Sequence, residues 1–150
     1  MIHSQKLKTN TQHAFEWNIV TVLLVSLGLA CFVTSLFLIS LFTSGENIRG
    51  SWILIMGWLG LLIFQFSWYA NPLNLLALLL LHNRPATSFL LSSLAFALAT
   101  QTFLFFEIPT SINAEKIIIK ELGLGFYIWY MAQFLFLVAT VVELFKGSNK

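Results

Sequence analysis

GSWILIMGWLGLLIFQFSWYANPLNLLALLLLHN, residues 50 to 83, lies between Arg49 and Arg84 without a single formally charged side chain. A stretch this apolar cannot be a soluble segment. As one helix rising about 1.5 Å per residue, the run from Trp52 to Leu81 would reach roughly 45 Å, half as long again as a hydrocarbon core of about 30 Å. It must tilt, bend or break. Ala70-Asn71-Pro72 marks the place, because it puts a missing N–H and a ring clash inside the run. Asn71 could cap a short second helix that Pro72 starts. The expected form is one crossing from Trp52 to Leu81, Pro-kinked near residues 70 to 72. The competing form ends the crossing near Tyr69 and folds residues 72 to 81 as a half-helix or re-entrant segment.

Around this break gather Gln65, Ser67, Trp68, Tyr69, Asn71, Pro72 and Asn74, the candidate site for binding or packing. A broken helix exposes orphan N–H groups, which in transporters face a substrate or ion. The plainer reading is structural: Asn71 and Ser67 satisfy the freed backbone groups, and Asn74 bonds across to Gln101 or Gln133 to fix the bundle. No charged group supports a transport site, which favours the plainer reading.

Composition sets the class. Of 150 residues 58% are apolar and 9% charged, and the mean hydropathy is +0.84, far from the averages of soluble domains. The net charge of +2 is too small, and the basic residues too scattered, for nucleic-acid binding. One cysteine, Cys31, excludes an internal disulfide, a Cys-x-x-Cys motif and a thiolate metal cluster.

Working outward, the first apolar run extends from about residue 18 to 42, too long for a signal-peptide core of roughly 7 to 15 residues. Thr21, Gly28, Cys31 and Ser35 fall on one stripe of it, where small residues let another helix approach closely. After the tight turn His82-Asn83-Arg84-Pro85, a third helix is expected over residues 86 to 106. Its small residues Ser88, Ser92, Ala95, Ala99 and Thr102 recur at helical spacing and form the expected packing face, against the first helix or a partner. The loop that follows contains AEKIIIKEL, read as a short amphipathic helix over about 113 to 122, capped by Asn113 and ended by Gly123. A last crossing is expected over residues 123 to 145. The fold class is therefore an all-α integral membrane protein: a single domain over residues 1 to 150, a four-helix transmembrane bundle with a kinked or broken second helix.

Placing both termini in the cytoplasm puts Lys6, Lys8, Arg84, Lys146 and Lys150 inside, against Arg49, Lys116 and Lys120 outside. The expected address is the inner membrane. Glu16, Glu107 and Glu143 fall near the ends of apolar runs and read as interfacial acids, Glu143 beside Lys146. Haem would need facing axial ligands, but His3, His13 and His82 lie in the tail and the tight turn. No metal-ligand spacing and no nucleophile with a deep base is present. The reading is of no catalytic residue, metal or cofactor, with the lipid bilayer and another membrane protein, or a second copy, as partners. The expected function is non-enzymatic, an accessory, assembly or inhibitory (immunity-type) role through helix packing. The alternative is a small transporter or permeability pathway at the break.

Overall fold

The structure, a computed structural model, describes residues 18 to 105, 107 to 109 and 116 to 148. Helix α1, Ile19–Phe37, starts at Asn18, whose side-chain oxygen accepts from the Val20 amide at 3.0 Å. The apolar run continues to Phe42, but the helix does not. At Leu38 the backbone becomes extended, and the chain enters strand β1, Ile39–Thr43. It then turns and pairs antiparallel with a two-residue strand β2, Ile48–Arg49.

Late in the chain, β3 (Glu107–Pro109) and β4 (Lys116–Leu122) pair antiparallel, and β4 also pairs with β1. The result is a four-stranded sheet of order β2-β1-β4-β3. The amphipathic helix expected over 113 to 122 is thus a strand from Lys116 onward; residues 113 to 115 lie outside the described residues. Ile117, Ile118 and Ile119 explain the difference, since three consecutive β-branched side chains are stiff in a helix and fit a pleated strand. Gly123 ends no helix. It joins β4 to α5, where its N–H donates to the Ser40 carbonyl at 2.9 Å and a Cβ would lie 2.3 Å from the Ile39 carbonyl oxygen.

Helix α5, Leu124–Ser148, runs back antiparallel to α1. The small-residue stripe of α1 faces it: Thr21, Gly28 and Ser35 are buried, Cys31 half-buried. A Cβ on Gly28 would stand 2.6 Å from the Phe136 ring, so the glycine is what lets the helices close. At the end away from the sheet, the Thr21 hydroxyl donates to Glu143 Oε1 at 2.8 Å, and Glu143 is buried.

The segment that decides the fold breaks in an unexpected place. Helix α2, Gly50–Met56, passes into a 3-10 helix, Gly57–Ile63, which stops at a left-handed Phe64. A short 3-10 turn, Ser67–Tyr69, then leads into α3, Ala70–Leu80. The break is therefore at Phe64 to Phe66, upstream of Asn71-Pro72. Both ends of the Gly50–Ile63 segment sit at the sheet end of the bundle. The Gly50 amide donates to the Leu38 carbonyl beyond α1 at 3.0 Å, and Phe64 is held by Gln101, just past α4. The run from Trp52 to Leu81 is thus two helical segments, Gly50–Ile63 and Ser67–Leu80, and not one helix kinked at residues 70 to 72.

Helix α4, Pro85–Thr100, packs antiparallel on α3. Ser88 donates to the Ala77 carbonyl and Ser92 to Asn74 Oδ1, both at 2.7 Å. Ala70, Ala95 and Ala99 form a fully buried cluster, covered by Leu73, Trp129 and Tyr130. The small-residue face is thus a packing face, but against α3 rather than α1. Thr102 is half-buried, in the 3-10 turn Gln101–Leu104.

Among the described residues three helices are long and apolar enough to cross a membrane: Ile19–Phe37, Pro85–Leu104 and Leu124–Lys146. Helix α3, with 11 residues, falls short of them. The described residues thus form three long apolar helices, two shorter helical segments, Gly50–Ile63 and Ala70–Leu80, and a small sheet. Their outer faces carry Leu23, Leu90, Leu94 and Met131 in exposed positions, a surface suited to lipid and not to water.

Candidate functional site

The break is closed by one side chain from another helix. Gln101 Nε2 donates to the Phe64 carbonyl at 2.8 Å, and its Oε1 accepts from the Phe66 amide at 2.9 Å. A single amide thus satisfies one acceptor and one donor freed by the interrupted helix. The helix itself ends in a Schellman-type turn. The Gln65 amide donates back to the Gly60 carbonyl at 2.8 Å, and Phe64 takes the left-handed position at φ 57°, ψ 26°. Glycine normally occupies that position; a bulky side chain there costs roughly 1 to 2 kcal/mol.

Two aromatic residues hold Gly50–Ile63 against the bundle. Trp68 Nε1 donates to the Leu54 carbonyl at 2.9 Å, and its ring lies over Gly57, where a Cβ would come within 2.3 Å of it. The Tyr69 hydroxyl reaches the Trp58 carbonyl at 3.3 Å. Pro72 does not mark the break. It sits in the first turn of α3, where its missing N–H would have had no helical partner. Tyr69, not Asn71, is the N-cap residue, and no side chain caps this helix.

Asn71 is used elsewhere, because its position on α3 faces α5. Its Oδ1 accepts from Trp129 Nε1 at 2.9 Å and, at 3.4 Å, from Gln133 Nε2. Gln133 Oε1 in turn accepts from Asn74 Nδ2, and Asn74 Oδ1 accepts from Ser92. Asn74, Gln133 and Ser92 are all fully buried. Among the described residues, no buried side-chain nitrogen or oxygen lacks a partner. This chain of amides ties α3, α4 and α5 together at the depth where an unpaired polar group would cost most.

The expected site residues therefore divide. Asn74 and Asn71 belong to the buried network, Tyr69 is a tether, and Pro72 is a helix-start residue. Gln65, Ser67, Trp68 and Asn71 all line a cavity of about 610 Å³ beneath Gly50–Ile63, bounded also by Phe32 and Ser35 of α1 and by Phe126 and Trp129 of α5. No charged residue lines it. Of the two partners expected for Asn74, Gln133 is the one it reaches, and Gln101 serves instead as the clamp, a role the sequence pattern did not reveal. The signal was an amide side chain near the end of an apolar helix, a costly residue there unless it has work with another backbone.

Among the described residues no three histidine, cysteine or acidic side chains gather where they could hold a metal ion. The arrangement offers a closed hydrogen-bonded core and a mostly apolar cavity. No family model, curated protein or solved structure matches this chain.

Proposed function

We propose that this chain is a non-enzymatic, multi-pass inner-membrane protein that acts on another membrane protein through helix packing, in an accessory, assembly or inhibitory role. The observation that carries the reading is the Gly50–Ile63 segment. Neither its α-helical nor its 3-10 part contains a buried residue, and Trp52, Ile55, Trp58, Leu61 and Leu62 are all exposed. It is an apolar element held at the rim by two aromatic tethers and one amide clamp, displayed rather than packed. A contact surface for a second set of helices has this character. Both termini are assigned to the cytoplasmic side, because Arg84 lies in the turn at the end remote from the sheet and basic residues favour that side.

The test is photo-crosslinking in native membranes, followed by purification in mild detergent. A crosslinker at Leu62 should trap one discrete, stoichiometric membrane protein, whereas one at Leu90, on the outer face of α4, should label lipid only. Diffuse labelling from both positions would overturn the reading. A permeability pathway is the second reading, favoured by the cavity reaching the break at Gln65 and Ser67. In that case the purified chain alone would carry solute flux in liposomes, with no partner.

A further inference from the structure

The cavity beneath Gly50–Ile63 differs from a simple packing gap in how its polar groups are used. Gln65 Oε1 accepts from Ser67 at 3.0 Å, which leaves the Gln65 Nε2 group without a protein acceptor among the described residues. Asn71 Oδ1 is likewise occupied by Trp129 and Gln133, which leaves Asn71 Nδ2 in the same condition. Both residues line the cavity, and neither nitrogen is sealed away, since no buried side-chain polar atom lacks a partner. Two neutral donors thus stand at the wall of a space otherwise formed by residues such as Phe32, Leu36, Ile53 and Phe126, with no charge on any side.

That chemistry selects its occupant. The walls of this space are mostly apolar, which favours the uptake of an apolar molecule. At about 30 Å³ per water-sized group, a cavity of about 610 Å³ holds roughly 20 non-hydrogen atoms. A carboxylate or phosphate would arrive without a cation to meet it, and an ammonium without an anion, so an ionised group is excluded from the interior. Amide N–H groups require an acceptor. We infer that the cavity is a binding site for an acyl chain that ends in an ester carbonyl, the chain lying among the aromatic and aliphatic walls and the carbonyl oxygen accepting from Asn71 Nδ2 and Gln65 Nε2. Such a chain could belong to a bilayer phospholipid or to a free monoacyl ester; the recognised chemistry is the same.

The experiment uses the full chain in mild detergent and two diazirine-bearing probes of equal length, a hexadecanoate methyl ester and the matching hydrocarbon without the carbonyl. The ester should label Gly50–Ile63 and α5 saturably, and bind about three- to tenfold more tightly than the hydrocarbon, the contribution of one or two neutral hydrogen bonds. Gln65→Leu should narrow that preference while leaving hydrocarbon binding unchanged. Ile53→Trp, which fills the space, should abolish saturable labelling by both probes in a protein that melts at the wild-type temperature. Competition by ester-linked but not ether-linked phospholipid would identify the bilayer as the source; competition by free monoacyl ester alone would identify a free ligand. Equal binding of ester and hydrocarbon to the wild type, or labelling spread over the outer helix faces and insensitive to Ile53→Trp, would overturn the assignment.

Discussion

Replacing Gln101 by leucine removes the side chain that bonds both the Phe64 carbonyl and the Phe66 amide, and its cost can be worked out bond by bond. The Phe66 amide would lose its only partner in a half-buried position, a cost of about 1 to 3 kcal/mol; the Phe64 carbonyl lies at the exposed rim and would cost about 0.5 to 1 kcal/mol. Phe64 is already held in the left-handed region against a penalty of about 1 to 2 kcal/mol, so little resists local opening once the clamp is gone. The expected loss of about 2 to 3 kcal/mol should therefore appear as release of residues 60 to 68 before the bundle melts. Hydrogen exchange in detergent reads this directly. The Phe66 amide should exchange on the order of 30- to 100-fold faster in Gln101→Leu, while α5 amides remain unchanged. Gln101→Asn, one methylene shorter, should fail to bridge both groups and resemble the leucine variant. Gln101→Glu should fall between, since it still accepts from Phe66 but repels the Phe64 carbonyl. A Phe66 amide within twofold of wild-type protection in Gln101→Leu would show that the clamp does not hold the break.

Other variants test separate parts of the structure. Phe64→Gly should raise thermal stability by about 1 kcal/mol, because it relieves the left-handed backbone at a position whose ring is 78% exposed and loses little burial; an unchanged or lower melting temperature would argue against the strain. Gly28→Ala should cost about 1 to 3 kcal/mol by driving α1 away from Phe136, and Phe136→Leu in the same chain should recover part of it, measured by unfolding in mixed micelles. Asn74→Leu should cost about 1 to 3 kcal/mol because it strands Ser92 and Gln133, whereas adding Ser92→Ala and Gln133→Leu should restore much of the loss. Pro72→Ala should change stability by less than about 0.5 kcal/mol, since Pro72 stands in a first turn that needs no N–H; a large effect in either direction would restore the kink interpretation.

What the sequence revealed and what it concealed follow from the range of the forces involved. The charge-free runs and the spacing of Ser88, Ser92, Ala95 and Ala99 are local patterns with a period of 3.6, and each marks a real helix or a real packing face. Thr21, Gly28 and Ser35 were legible for the same reason. The sheet was not, because β1 continues an apolar run without interruption and acquires its strand character only by pairing with β4, some 80 residues later. The position of the break was concealed more completely. Asn71-Pro72 gave a strong local signal that the fold uses merely to start a helix, while the true interruption at Phe64 has neither glycine nor proline and is stabilised by Gln101, just past α4. Conversely, Ile117 to Ile119 did carry a local signal for a strand, outweighed in a periodicity reading by the charges on either side.

The direct joints between α1 and β1 and between β4 and α5 have a mechanical consequence. Leu41 pairs with Leu122 and Phe42 with Glu121, with a register irregularity before the Thr43–Ile119 pair, so the first and last apolar helices are coupled end to end through a short ladder. α1 and α5 are thus tied to each other partly by backbone hydrogen bonds, which no single side-chain substitution removes. Gly50–Ile63 is secured differently, by the side chains of Trp68, Tyr69 and Gln101, and is the more easily released of the two.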